Sequence, residues 1–422
     1  RRHGAAVLGL DDADTATLAA RWEREGLAAT AAGCFDEVRD GGREPDAAWS
    51  RPGLVVISPG VPGTHPRLQA LPEGVPVIGE LELGARFCRA QSAAITGTNG
   101  KSTTTELLAH LVRAAGRRGE ALGNVGRPLC LVAEELEPDD VAVLEVSSFQ
   151  LESVETFRPR VGAVLNVTPD HLDRYADVGS YAAAKARIFE RCETAVVNAD
   201  DPQVPSMLRA GQCAVSFSLR GDSGADYVLR ARDGREWLCA GGENLLAMDE
   251  LRIVGHHNAA NALAALALGV ALGLPRAAML EALREFPGLP HRAAWVADVR
   301  GVRYVNDSKG TNVGATLAAV AGFAGPLLLI VGGDGKNQDF TPLRAAFAGK
   351  VRRVLLIGRD AATIAAALEG VCELEHCDSL EAAVVSAARA ARQGDTVLLS
   401  PACASLDMFR DYGHRGEVFA EA

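Results

Sequence analysis

The sequence predicts an α/β protein of three units, each a mostly parallel sheet flanked by helices, and three observations carry that expectation. Strand-like apolar runs alternate with alanine-rich helical patterns from end to end, the mark of α/β layers. The chain has 422 residues, too many for one ordinary core and near the length of three domains. A glycine-containing turn, Gly97-Thr98-Asn99-Gly100, joins an apolar run to a helical pattern, as strand, turn and helix succeed one another in such layers.

In chain order, residues 5–10 read as a first strand, 14–25 as a helix, 26–32 as a second strand, and 53–58 as a later strand ending at Ser58-Pro59-Gly60. A second unit opens near residue 89. Its strands fall just before the glycine turn and at 141–146, 161–166 and 195–198, each with polar residues at its carboxyl end, where ligand crevices form. A helix over 258–272 precedes Phe286-Pro287-Gly288-Leu289-Pro290, a stretch suited to a linker. The third unit has strands at 326–331, 353–357 and 396–399. The units are therefore placed at 1–88, 89–288 and 289–422.

Apolar residues make up 48% of the chain, ample for these cores, and the formal charge of -11 argues against nucleic acid and against an anionic membrane surface. Nine cysteines form no C-x-x-C pair, which fits reduced thiols better than disulfides or zinc. No charged-then-apolar leader is read at the start, and the Ala/Leu stretch 261–274 is short for a membrane span. A cytoplasmic protein with no membrane span is expected.

The richest segment runs Ile95-Thr96-Gly97-Thr98-Asn99-Gly100-Lys101-Ser102-Thr103. A glycine turn opening into a helix aims free N–H groups and the positive end of the helix dipole at one point, where Lys101 adds a full charge. The natural occupant is a polyphosphate, with the Ser102 hydroxyl placed to ligate magnesium. The general motif wants glycine where Ile95 stands; an ordinary strand-to-helix turn is the plainer reading. ATP is the inferred ligand.

Other candidates lie at strand ends. Glu145 either ligates metal or caps the next turn. Residues 166–175 place His171 among acids and amides, for metal, phosphate or structure, and Lys185 follows Tyr181 by four residues as a solvated lysine on spacing alone. Asn258 and Asn261, three apart on a helix, suit an adenine edge or an ordinary cap. His291 and Arg292 follow the linker. Asp307, Lys309 and Thr311 lie at a helix entry, and Lys336 closes a glycine turn placed to meet a carboxylate. Residues 400–412, with Ser405, Leu406 and Tyr412, read as a helix N-terminus dressed with hydroxyls and suited to an anion; Cys403 within it reads as packing.

T-G-T-N-G-K-S-T, the Glu145, His171 and Lys185 segments, D-S-K-G-T-N and S-P-A-C-A-S-L-D resemble the Mur ligase family, in order, from about residue 54 to 419. The resemblance implies a three-domain architecture: a Rossmann-like N-terminal domain, a central P-loop ATPase-like domain and a Rossmann-like C-terminal domain. It implies ATP on Gly97 to Thr103, Asn258, Asn261, Arg292 and Asp307, and magnesium at two sites held by Ser102, Glu145, His171 and Lys185, the last carbamylated. Catalytic roles are implied for Lys101, His171, Lys185, Lys309 and Lys336. The last two segments resemble the branch that adds D-glutamate, to UDP-N-acetylmuramoyl-L-alanine, which implies substrate contacts from Ser58, Gly60, Asn124, His171, Thr311, Lys336, Ser405, Leu406 and Tyr412. Other Mur-type or folylpolyglutamate-type ligases, or a nucleotide switch that is no ligase, are the alternatives. A monomer is expected.

The first turn departs from the family's glycine-rich pattern. Asp11, Asp12 and Asp14 favour the start of their own helix but repel a pyrophosphate, by roughly 4 kcal/mol per like pair at about 4 Å and surface-like dielectric. The strand at 26–32 also ends without the acid expected to meet a ribose.

Overall fold

A computed structural model describes residues 8–11, 37–40, 52–172, 174–253, 255–323 and 325–422. The chain forms two compact units, Arg1–Ile78 and Gly79–Ala422. In the first, β1 (Leu8–Asp11) and β2 (Glu37–Asp40) pair in parallel, Leu8 opposite Glu37. The expected helix at 14–25, the strand at 26–32 and the acids Asp12 and Asp14 lie outside the described residues. The strand paired with β1 comes later in the chain than expected and ends on an acid, Asp40. β3 (Val55–Ile57) and β4 (Val77–Gly79) form a second two-stranded sheet.

The second unit holds two larger sheets. The first is built from β5 (Gln91–Thr96), β6 (Gly119–Gly123), β7 (Val141–Glu145), β8 (Val161–Val164), β9 (Thr194–Asn198), β10 (Ala214–Ser218), β11 (Tyr227–Arg232), β12 (Arg235–Ala240) and β13 (Glu243–Ala247). Its order is β13-β12-β11-β10-β9-β8-β5-β7-β6. From β6 to β11 the pairing is parallel; β12 and β13 extend the sheet antiparallel. The central strands are buried on both faces, which is why they read as unbroken apolar runs. Helices Lys101–Ala114, His256–Ala271 and Arg276–Glu285 pack one face. Helices Glu80–Phe87 and Val178–Ala186 cover the other. The antiparallel extension was not expected from sequence, because its outer residues, such as Arg230, Arg232 and Arg235, are exposed and break the apolar run.

The second large sheet is built from β14 (Ala294–Val299), β15 (Val302–Asn306), β16 (Leu327–Gly332), β17 (Val351–Ile357), β18 (Glu373–His376) and β19 (Thr396–Leu399), in the order β14-β15-β19-β16-β17-β18. β16, β17 and β19 match the three strands expected there. All pairings are parallel except the β14–β15 hairpin. Residues 400–411 are irregular, against the expected helix entry; the helix is Tyr412–Glu421, capped by Asp411. The reason is partly in the backbone and partly in packing: Ala402 takes a left-handed φ of 59°, and the Cys403 and Ala404 carbonyls accept from Arg415 Nη1 at 3.1 and 3.4 Å instead of from helical amides.

Candidate active site

The turn after β5 is a preformed anion cradle. Gly100 caps helix Lys101–Ala114 at a left-handed φ of 84° and offers no side-chain cap. The first-turn N–H groups of Lys101, Ser102 and Thr103 therefore lack intrahelical acceptors. A Cβ on Gly100 would stand 2.5 Å from Asn261 Oδ1, so the position admits only glycine. Asn166, at the end of β8, fixes the other side of the turn. It accepts from Thr98 N at its carbonyl (2.9 Å) and from Asn99 N at Oδ1 (2.8 Å), and its Nδ2 donates to the Asn99 carbonyl (3.1 Å). Lys101 Nζ donates to the carbonyls of Gly97 and Thr98 at 2.8 and 2.9 Å. Burial draws its pKa below the ordinary lysine value.

Glu145 ends β7 opposite Ile95 of β5, beside this cradle. It is 3% exposed. Burial pushes its carboxyl up, but the charge of Lys101, the neighbouring Ser102 hydroxyl, a hydrogen bond from Asn124 and the charge of Lys309 outweigh that and hold it below the usual range. Oε1 accepts from Asn124 Nδ2 at 2.8 Å, whereas Oε2 is buried with no hydrogen-bond partner. An orphaned carboxylate oxygen beside a buried hydroxyl, Ser102, suits a hard cation. Magnesium thus fits these residues, although among the described residues no three His, Cys, Asp or Glu side chains gather as a ready-made metal cluster.

Lys185 is 1% exposed, not solvated as spacing alone suggests. Its Nζ donates to the Gly97 carbonyl (3.0 Å) and Thr96 Oγ1 (3.5 Å) and lies 4.4 Å from the Tyr181 ring centre. Burial, then the charge of Lys101, holds its pKa well below the ordinary lysine value. His171 has a left-handed φ of 54° and packs edge-on to Phe149 at 4.9 Å, with Nε2 3.8 Å from Asp170 Oδ2.

The sheet β14–β19 adds cations to the same point. Arg292 Nη2 and Lys309 Nζ donate to Ser102 Oγ at 3.1 and 3.2 Å. Burial lowers Lys309 to about 8 and raises Asp307 to about 6; Asp307 accepts from Ser400 Oγ at 2.8 Å. Thr311 follows Lys309 by two residues. The Lys336 and Ser405 segments are joined by reciprocal backbone bonds between Asp334 and Ala404. Lys336 and Leu406 are exposed there, Ser405 is buried, and Tyr412 stacks on Lys309 Nζ at 4.9 Å.

Two residues that sequence reasoning missed tie these segments together. Gln338 accepts from Val313 N and donates to the carbonyls of Gly335 and Ala402. Arg415, fully buried, binds Ser308 as well as Cys403 and Ala404. Neither stands in a recognisable motif, and both lie among polar neighbours in the chain. Asn258 and Asn261 bond each other, and Asn261 Oδ1 accepts from Thr104 Oγ1, so both brace the cradle's helix. Ser58 and Gly60 form an exposed turn in the first unit, closed by Val61 N on the Ser58 carbonyl.

The Mur ligase middle domain profile matches residues 95–269, and that of the Mur ligase glutamate ligase domain matches residues 291–403. A UDP-N-acetylmuramoylalanine--D-glutamate ligase of Methylobacillus flagellatus is 51% identical over 382 residues, 89% of this chain and 84% of that protein. Among solved structures, a UDP-N-acetylmuramate-alanine ligase of Thermotoga maritima has a TM-score of 0.61 at 19% identity, covering 99% of this chain and 98% of its own. A MurF ligase of the same organism, solved in complex with ADP, has a TM-score of 0.63 at 19% identity, covering 84% and 89%. The likeness in structure shows the three-domain α/β fold, and identity at half of all aligned positions shows more: the chain belongs to the Mur ligase family.

Proposed function

We propose that this protein is an ATP-dependent ligase that joins D-glutamate to UDP-N-acetylmuramoyl-L-alanine in peptidoglycan synthesis. The observation that carries the reading is the convergence on Ser102 of Lys309 and Arg292 from one sheet with the phosphate cradle and Glu145 of the other. A triphosphate placed there would be gripped from both sides. The acceptor and amino acid are inferred from the relative at 51% identity. Residues 1–88 are assigned to the UDP acceptor, 89–288 to ATP and 289–422 to the amino acid.

A carboxylate and an amine do not condense unaided in water. An oxygen of the acceptor carboxylate attacks the γ-phosphorus, the bridging β–γ bond breaks, and ADP leaves an acyl phosphate. The D-glutamate nitrogen then adds to the acyl carbon; phosphate departs from the tetrahedral intermediate and the amine proton passes to solvent. Positioning and charge neutralisation dominate such a reaction. Lys101, Lys309 and Arg292 neutralise phosphate charge, Asn124 and His171 orient the acceptor, and Thr311, Lys336, Ser405, Leu406 and Tyr412 surround the amino acid. Magnesium, when bound, neutralises the phosphate oxygens, and Ser102, Glu145, His171 and Lys185 are the residues that would hold it at two sites.

Lys185 fits carbamylation, because carbon dioxide reacts with a neutral amine and burial beside Lys101 disfavours its ammonium form. Adding carbon dioxide and losing a proton turns the side chain into an anion that two cations attract. Lys185→Ala should lose most activity and regain part of it with added acetate; full activity without acetate would remove the carbamate from the scheme. The substrate assignment is tested by phosphate release with the UDP acceptor present. D-glutamate should stimulate it, and L-glutamate, L-alanine and diaminopimelate should not. A different stimulating amino acid would make the protein another ligase of the family, and indifference to all four would favour a nucleotide switch.

A further inference from the structure

Asn312 caps helix Val313–Ala321 through Oδ1, which accepts from Ala315 N at 2.8 Å. Serine, threonine or aspartate would cap as well, so the cap leaves the other half of the amide unexplained. That half reaches the other large sheet. Nδ2 donates to Asn99 Oδ1 of the phosphate cradle at 3.3 Å and to Asp170 Oδ2 at 3.4 Å. Asn312 is 7% exposed, so these bonds have little competition from water. The approach is close: a Cβ on Gly314 would lie 3.2 Å from both Asn99 Nδ2 and Thr168 Oγ1. Asn99 is itself clasped at both backbone polar groups by Asn166. A continuous chain of amides thus runs from the end of β8 through the cradle into the segment that carries Lys309 and Thr311.

We propose that Asn312 is a positioning residue: its Nδ2 registers the Lys309–Thr311 segment of the third sheet on the phosphate cradle, so that Lys309 and Arg292 arrive at Ser102 only when the cradle is in place. This rests on the proposed nucleotide site and deepens it. Asparagine is the side chain that can cap its own helix with an acceptor and latch across with a donor at once. Aspartate keeps the first function and reverses the second, placing a carboxylate against Asp170.

The test uses the full chain with Asn312→Asp, Asn312→Thr and the exchange pair Asp170→Asn with Asn312→Asp. Thermal unfolding, hydrogen exchange of residues 97–101 and 309–313, and kcat and KM for phosphate release are read for each. The expected result is a thermal midpoint within about 2 °C of the parent for Asn312→Asp. Exchange at both segments should rise at least tenfold, kcat should fall at least tenfold, and the exchange pair should recover protection in part. Unchanged exchange and kcat in Asn312→Asp would overturn the proposal, as would loss of the midpoint together with activity in both single variants and no recovery in the pair. A parent protein that releases no phosphate with any amino acid would instead sink the ligase reading, while the exchange measurements would still decide the latch.

Discussion

At the scale of single residues, the proposed chemistry depends on charge placement at Ser102. Lys101 is the only one of the cradle's cations that belongs to the turn itself, and it crosses the turn to two carbonyls. Lys101→Ala should lower ATP-dependent phosphate release by about 10²–10³, the range for losing one preorganised charge-stabilising donor; near-parent rates would displace the phosphate site. His257 gives a second prediction. Burial, then the charges of Arg292 and His256, depress its pKa to about 4, and its Nδ1 is buried without a hydrogen-bond partner. The unfolded chain binds this proton near the ordinary value, so between about pH 6.5 and 4 it holds more protons than the folded one, and stability is lost as pH falls through that window. His257→Gln should flatten the loss by about 2 kcal/mol, allowing for partial exposure. Parallel pH curves of urea midpoints for parent and variant would show that His257 does not titrate in this way.

At the scale of elements, Glu82 is a carboxylate wholly inside the protein that fastens helix Glu80–Phe87 to the segment 155–157. It accepts from the backbone N–H groups of Glu155, Thr156 and Phe157, from Thr156 Oγ1 and from Arg86 Nε. Burial raises its pKa, but the hydrogen bonds of Thr156, Glu155 and Arg86 outweigh that and leave it lowered. Glu82→Ala strands three backbone N–H donors, of which that of Phe157 is buried, so a loss of about 2–3 kcal/mol is expected. Urea unfolding measures it; a loss under about 1 kcal/mol would mean that water or a neighbouring group takes over the donors. The elements also show what pattern could not foresee. β5, β7, β8, β16 and β19 were legible as apolar runs because both faces are covered. The β11–β13 extension was not, since half of β11 and the first residues of β12 and β13 face water and interrupt the apolar runs, and 400–411 was misread because Arg415, ten or more residues along, supplies the donors that a helix would have supplied.

For the molecule as a whole, the groups proposed to hold the nucleotide come from two sheets within one compact unit, Gly79–Ala422. Magnesium with a non-hydrolysable ATP analogue at about a hundred times its Kd should stabilise that unit by about 2.7 kcal/mol. Calorimetry should show the whole unit's transition rising by several degrees; a rise confined to part of it, with the remainder melting as before, would show that Arg292 and Lys309 do not join the site. Among the described residues no helix is long and apolar enough to cross a membrane, in keeping with the short 261–274 stretch, which lies mostly in the buried helix His256–Ala271.

The sequence by itself determined the alternation of strand and helix, the cradle at Gly97 to Thr103, and the family, because these depend on local periodicity and on residues adjacent in the chain. Only the tertiary structure decided that Lys185 is buried against Gly97 and Tyr181, that Glu145 keeps an unpartnered oxygen beside Ser102, and that Asn312, Arg292 and Lys309 cross from one sheet to the other. Those facts join residues tens to hundreds of positions apart, and the energy of a buried charge or amide depends on what surrounds it in space, which spacing along a chain does not record.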